Sequence, residues 1–223
     1  MGIVERRIRE KEERRKLILE TTKRLIIEKG VAAFSMQDIA DAIELSKATL
    51  YLYFLNKEAI LEELFRDATD YFVEYVEERI PENASGLECI RVLWGSYLSL
   101  YGESGDDIVL TGIWKAVDPT FIAKDPSQDS PLRKPVRPMV DLIIKALRRG
   151  VADGSLDQDI DPEHIARSSL FIATAYIDNI ARLPREARDT RFIREELRST
   201  FELLLRGVAS PSADRTRLTL PSK

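Results

Sequence analysis

Few side chains in this 223-residue chain have the types and spacing for covalent or metal chemistry. There is one histidine, His164, and one cysteine, Cys89. Neither belongs to a paired Cys/His spacing of the sort a zinc site needs. No Gly-rich phosphate loop is present, and no Ser-His-Asp set can be assembled. The sequence therefore argues against an enzyme and against a His-bound metal complex as ligand, and no cofactor is expected. What remains is hydrogen-bonding chemistry. Ser46, Lys47, Thr49, Tyr51, Tyr53 and Lys57 place four hydroxyls and two ammonium groups within twelve residues. Such donors suit phosphate oxygens and base edges.

Two short elements must position them. Met36, Ile39, Ala40 and Ile43 make one helical face. After a polar break at Glu44-Leu45-Ser46, a second segment carries Ala48, Leu50, Tyr51, Tyr53 and Phe54. Ser35 with Asp38 three residues on is a variant of the capping box, and Ser46 is a natural N-cap for the second segment. Asn56 can cap the helix that follows. Two short helices joined by a tight turn form a helix-turn-helix. Its second helix enters the major groove with its N-terminal residues foremost, which here means Ser46, Lys47, Ala48 and Thr49. Ordinary helical packing of capped short helices is the competing reading of the pattern alone.

The stretch SKATLYLYFLNKEAIL resembles the signature of the TetR family of bacterial transcriptional repressors, through Ser46, Thr49, Tyr51, Tyr53, Phe54, Lys57 and Ile60. Gly30, Ser35 and Ile39-Ala40 upstream agree, so the resemblance covers about residues 17–64. It implies an all-α fold: a three-helix DNA-binding head over residues 1–56, then a larger helical effector-binding and dimerisation body over 57–208, about nine helices in all. It implies that Tyr51 and Lys57 meet the DNA backbone and that Lys47, Ala48 and Leu52 choose sequence. One position departs from the pattern. The turn usually holds glycine, and here it holds Glu44, which must either bear strain or use another turn.

Length and charge fit this expectation. A chain of this size buries roughly 70% of its unfolded surface, so it forms a core without disulfides. A single cysteine fits a reducing cytoplasm. No run of 18 apolar residues suggests a membrane span. Residues 1–57 hold 12 Lys/Arg and 9 Asp/Glu, a net of +3, against −7 for the remainder. The basic head on an acidic body suits a double-stranded DNA partner.

Residues 5–16 are a mixed charge run that reads either as a solvated extension of the first helix or as an arm along DNA through Arg6, Arg7, Arg9, Arg14 and Arg15. A long amphipathic helix from Lys57 to about Ile80 makes a lever between head and body. Further helices are expected at 84–101, at Asp107–Val117 after a break at Gly102–Asp106, from Pro135/Pro138 to Gly154, and from Asp161-Pro162 to about Leu183. A last helix follows Pro184. Residues 209–223 read as a disordered tail.

The body is rich in aromatic residues. The resemblance implies a small-molecule pocket there, and Phe72, Trp94, Tyr97, Trp114, Met139, Ile143, Phe171 and Asp178 are its candidates, with Arg91 a second polar anchor. An apolar or aromatic effector fits such a lining; the competing reading is that these rings simply fill a core. The helix after Asp161 is apolar nearly all round and must be covered on more than one side. With the last helix it is assigned to a homodimer interface through Ser169, Ala173, Ile193, Leu197, Phe201 and Leu204. The function expected is a dimeric repressor released from a palindromic operator by its effector. The alternatives are a DNA-binding protein without an effector, and an all-helical module whose head binds protein.

Overall fold

The computed structural model describes residues 2–111, 133–181 and 190–220. Eight α-helices lie within them: α1 (Ile3–Lys29), α2 (Met36–Ala42), α3 (Lys47–Tyr51), α4 (Lys57–Glu77), α5 (Gly86–Thr111), α6 (Arg133–Asp153), α7 (Pro162–Ala181) and α8 (Thr190–Val208). Among the described residues no strand forms, and a single antiparallel bridge joins Leu156 to Ala209.

The helix ends follow local chemistry. Ser35 Oγ accepts from the Asp38 amide, and Asp38 Oδ2 accepts in return from the Ser35 amide at 2.8 Å, which closes the capping box of α2. Ser46 Oγ accepts from the Thr49 amide at 3.0 Å, and Asn56 Oδ1 from the Ala59 amide at 2.8 Å. Asp161 Oδ1 takes the Glu163 and His164 amides at the start of α7. Gly30 and Gly154 end α1 and α6 with φ of 83° and 73°. That left-handed region is costly for a residue with a Cβ.

The charged run is a solvated helix. It continues α1 without a break, with Arg6–Glu10 and Arg9–Glu13 pairs one turn apart on its exposed surface. Arg15, grouped above with the candidate DNA contacts, turns inward instead. It forms a forked pair with Glu63, donates to the Tyr53 carbonyl at 3.3 Å, and lies 4.3 Å from the Phe54 ring centroid. One side chain thus ties α1 to the corner between α3 and α4.

In the body, α4, α5 and α6 pack against one another, with α7 and α8 against α5. Two expectations are corrected here. The break at Gly102–Asp106 does not occur, because α5 runs through it to Thr111. A glycine inside a helix costs only about 1 kcal/mol, which tertiary packing offsets. The tail is not free either. Leu218 and Leu220 are buried, and Leu220 donates to Glu202 at 3.0 Å. Arg91 donates to the Thr219 carbonyl at 3.1 Å and Arg198 to the Leu220 carbonyl at 2.9 Å. Arg91, read from sequence as a ligand anchor, therefore holds the C-terminal segment. Cys89 is buried, and burial pushes its thiol pKa up, which keeps it protonated and inert.

Candidate nucleic-acid interface and effector cavity

The head presents one short capped helix to solvent. Lys47 and Ala48 are exposed at its leading end, while Leu50 points into the core. Ser46 Oγ and Thr49 Oγ1 lie 2.8 Å apart, so the two hydroxyls orient each other. Tyr51, Leu52 and Leu55 are exposed, and Tyr53 is half-buried. Ser35 opens α2 on the surface. Its hydroxyl, then its amide, hold the Asp38 carboxyl below the ordinary carboxylate range. The residues assigned from sequence to the DNA face are thus gathered around α2 and α3, with one difference.

That difference is Lys57. Its Nζ donates to the carbonyls of Val31 and Phe34, at 2.8 and 2.7 Å, and stands 3.9 Å from the Phe34 ring centroid. Burial lowers its pKa, with Glu58 and Asp38 opposing. Two of its three donors are occupied within the head. The geometry is that of a brace between the α1–α2 connection and α4, where sequence reading placed a phosphate contact.

Glu44 takes the strained option. Its φ is 54°, and it is the sole non-glycine residue with positive φ among the described residues. The left-handed region costs an L-residue roughly 1 kcal/mol. Glu44→Gly should raise stability by about 0.5 kcal/mol or more, since the added freedom of the unfolded chain offsets part of the relief. It should also tighten DNA binding by removing a carboxylate beside the reading helix. Thermal denaturation and a DNA titration check both. Equal stability would show that the strain is no larger than the unfolded-chain entropy that glycine adds.

A small cavity of about 30 Å³, partly open to solvent, lies in the body. Phe72 of α4, Trp94 and Tyr97 of α5, and Met139 and Ile143 of α6 line it as expected. Trp94 stacks on Phe201 with ring centroids 5.6 Å apart and planes 9° apart. Tyr97 stands edge-on to both Phe201, at 5.5 Å, and Phe72, at 5.9 Å. The rings therefore form one continuous wall.

Other assignments change sides. Ser169, Ala173 and Phe201, placed from sequence at a dimer interface, line this cavity instead. Leu197 is fully buried within the chain, and Ile193 and Leu204 are half-buried against its core. Phe171, placed in the pocket, is 49% exposed on the outside of α7. The reason is helical phase. Residues 169 and 171 lie about 200° apart around a helix, and a helix apolar on all sides does not announce which face is inward. Trp114 lies outside the described residues, as does the side chain of Asp178.

The sequence profile of bacterial regulatory proteins of the tetR family matches residues 18–64, the span from α1 through the first turns of α4. Residues 18–64 are thus a DNA-binding head of the tetR type. The chain's relatives include the fatty acid metabolism regulator protein of Bacillus subtilis, 31% identical over 94 residues, an alignment covering 42% of this chain and 48% of that protein. The HTH-type transcriptional repressor KstR2 of Mycolicibacterium smegmatis is 24% identical over 165 residues, covering 69% of this chain and 73% of the relative. The chain thus spans about half the length of the first and about three quarters of the second. Among solved structures, the transcriptional regulator FadR of Bacillus subtilis in complex with stearoyl-CoA superposes with a TM-score of 0.57 at 22% identity, covering 86% of this chain and 98% of that one. That likeness shows an all-helical fold shared beyond the head. These relatives are transcriptional regulators and not enzymes. Within the described residues, no cluster of three His, Cys, Asp or Glu is placed to hold a metal, and no helix is long and apolar enough to cross a membrane.

Proposed function

We propose that this chain is a homodimeric transcriptional repressor of the TetR family, acting in the cytoplasm, that a small-molecule effector releases from a palindromic operator. The observation that carries this reading is the course of α4. It begins at Lys57 inside the head and carries Phe72 in the wall of the cavity, fifteen residues or about 22 Å further on. A change in the cavity is thereby a change in where the reading helix sits. Residues 1–56 act as the head and 57–208 as the effector and dimer body. Lys47, Ala48, Thr49, Tyr51 and Leu52 form the contact surface. To convert a DNA-competent population to an incompetent one, an effector must prefer the second state by about 5 kcal/mol.

The outward faces of α7 and α8 support the dimer. Phe171, Phe192 and Leu203 are 49%, 59% and 69% exposed, and residues 192 and 203 fall on one stripe of α8, three turns apart. These side chains, in place of the six chosen from sequence, are proposed to meet a second copy about a two-fold axis. Such an axis sets two equivalent reading helices toward a palindrome. The Bacillus subtilis structure bound to stearoyl-CoA supports an acyl-type effector as the first class to test.

The test is selection of bound duplexes from random DNA at about 150 mM salt, where counterion-driven binding is suppressed, with Lys47→Ala/Tyr51→Ala in parallel. An enriched palindrome that the variant loses is the expected result. Enrichment without a palindrome overturns the dimeric reading, and no enrichment overturns DNA recognition.

A further inference from the structure

The cavity has one chemical peculiarity. Ser169 is 3% exposed and lines it, and the Ser169 hydroxyl is the one buried side-chain polar atom, among the described residues, left without a hydrogen-bond partner. Three other buried helical hydroxyls among the described residues bond back to their own helix. Thr22 donates to the Ile18 carbonyl at 2.8 Å, Thr69 to Phe65 at 2.8 Å, and Thr174 to Leu170 at 2.7 Å. Ser169 makes no such bond to Ile165. Leaving a buried hydroxyl unpaired is unfavourable, and it persists where the site offers something in return.

The rest of the lining limits what that is. The described residues around the cavity include no Asp, Glu, Lys, Arg or His. Among the described lining residues an ionised group would lose its hydration and meet no counter-charge, which is prohibitive. Tyr97 has its hydroxyl directed to the Ala173 carbonyl at 3.4 Å, and Thr174 has a backbone acceptor. A ligand hydroxyl would bring a further donor needing its own acceptor. A carbonyl oxygen brings only acceptor capacity.

Resting on the reading of this cavity as an effector site, we propose that it widens to take the uncharged, carbonyl-bearing part of an apolar ligand, with Ser169 Oγ donating to the carbonyl oxygen and any ionised portion of the molecule remaining outside. The carbonyl chemistry is shared by a chain-like acyl ester or ketone and by a cyclic ketone.

The experiment is calorimetric titration of the full chain with 2-nonanone, methyl octanoate and 1-decalone, set against octanoate and octylammonium, in the unaltered protein and in Ser169→Ala. The neutral carbonyl compounds should bind at least about tenfold more tightly than the two ions, and Ser169→Ala should weaken them about tenfold, the loss of one hydrogen bond. Comparison of the chain ketone and ester with the ring ketone separates the two sources. Without any ligand, Ser169→Ala should melt above Ser168→Ala, the neighbouring substitution that sets the helix-propensity baseline, because only the first removes an unpaired buried hydroxyl. Equal binding of octanoate or octylammonium, carbonyl affinity indifferent to Ser169→Ala, or no binding of any probe would each overturn the proposal. Ser169-dependent binding that leaves a preformed DNA complex intact would uphold the ligand class and overturn the effector reading instead.

Discussion

Gly86→Ala is expected to destabilise the body by about 3 kcal/mol or more, at the upper end of overpacking costs. A methyl on Gly86 would stand 2.0 Å from the Gly150 nitrogen, 2.2 Å from its Cα and 2.7 Å from the Ala146 carbonyl oxygen. All three are backbone atoms, so no side-chain rotation relieves the overlap and α5 and α6 must part. Gly150 is itself pressed from the other side, where a Cβ would meet Leu156 at 2.4 Å. The Gly86 amide also donates to Asp153 Oδ2 at 2.8 Å, so the start of α5 is fastened to the end of α6 at this point. Trp94 and Tyr97 lie further along α5, facing Met139 and Ile143 of α6 across the cavity, and separating the two helices there distorts the wall. Gly207→Ala on α8 is the control. Nothing lies within 4 Å of its added methyl, and helix propensity alone should leave the protein unchanged or slightly more stable. Chemical denaturation of both variants decides the matter. A Gly86→Ala protein as stable as the parent would mean that α5 and α6 are not in backbone contact.

Lys57→Met should cost about 2–4 kcal/mol and strongly weaken sequence-specific DNA binding. Hydrogen bonds from a charged donor contribute roughly 1.5–3 kcal/mol, and two carbonyls lose their partner here. The contact over Phe34 adds about 0.5–1 kcal/mol. Methionine keeps the apolar stem, so what is removed is the ammonium and its three partners. The expected consequence is a loosened α1–α2 connection and a displaced reading helix. The salt dependence of residual binding separates this brace from a direct phosphate contact. Each neutralised phosphate contributes about 0.9 to the slope of log affinity against log salt. A brace leaves the slope per dimer unchanged while affinity falls, whereas loss of one contact per subunit lowers it by about 1.8. Unimpaired stability with a reduced slope would return Lys57 to the DNA backbone.

What adjacent residues dictate was legible from them. Ser35 with Asp38, Ser46 with Thr49, and Asn56 with Ala59 are caps closed within three residues, so their hydrogen bonds are written in the local sequence. Gly30 and Gly154 stop helices for the same local reason, and Asp161 starts one. The signature around Thr49, Tyr51 and Phe54 marked the tetR-type head, and sequence left Glu44 two options, of which the structure shows the positive φ.

Contacts between distant parts of the chain were not legible. Arg15 and Glu63 are 48 residues apart, Arg91 and Thr219 are 128 apart, and Lys57 finds carbonyls 23 and 26 residues behind it. Each looked like a free charge from its neighbours alone. The face of α7 was undetermined for a different reason, since a helix apolar on most sides carries no phase. On α8 the stripe of Ile193, Leu197 and Phe201 was legible, but not whether it meets this chain's own core or a second copy. Only the packing of α5 and α6 against them turned Ser169, Ala173 and Phe201 toward the cavity and left Phe171 and Leu203 outside. Sequence alone determined where most helices are capped and which family the head resembles, because those depend on neighbours. The tertiary structure decided which charges are braces and which apolar face encloses a ligand, because those depend on what the rest of the chain brings alongside.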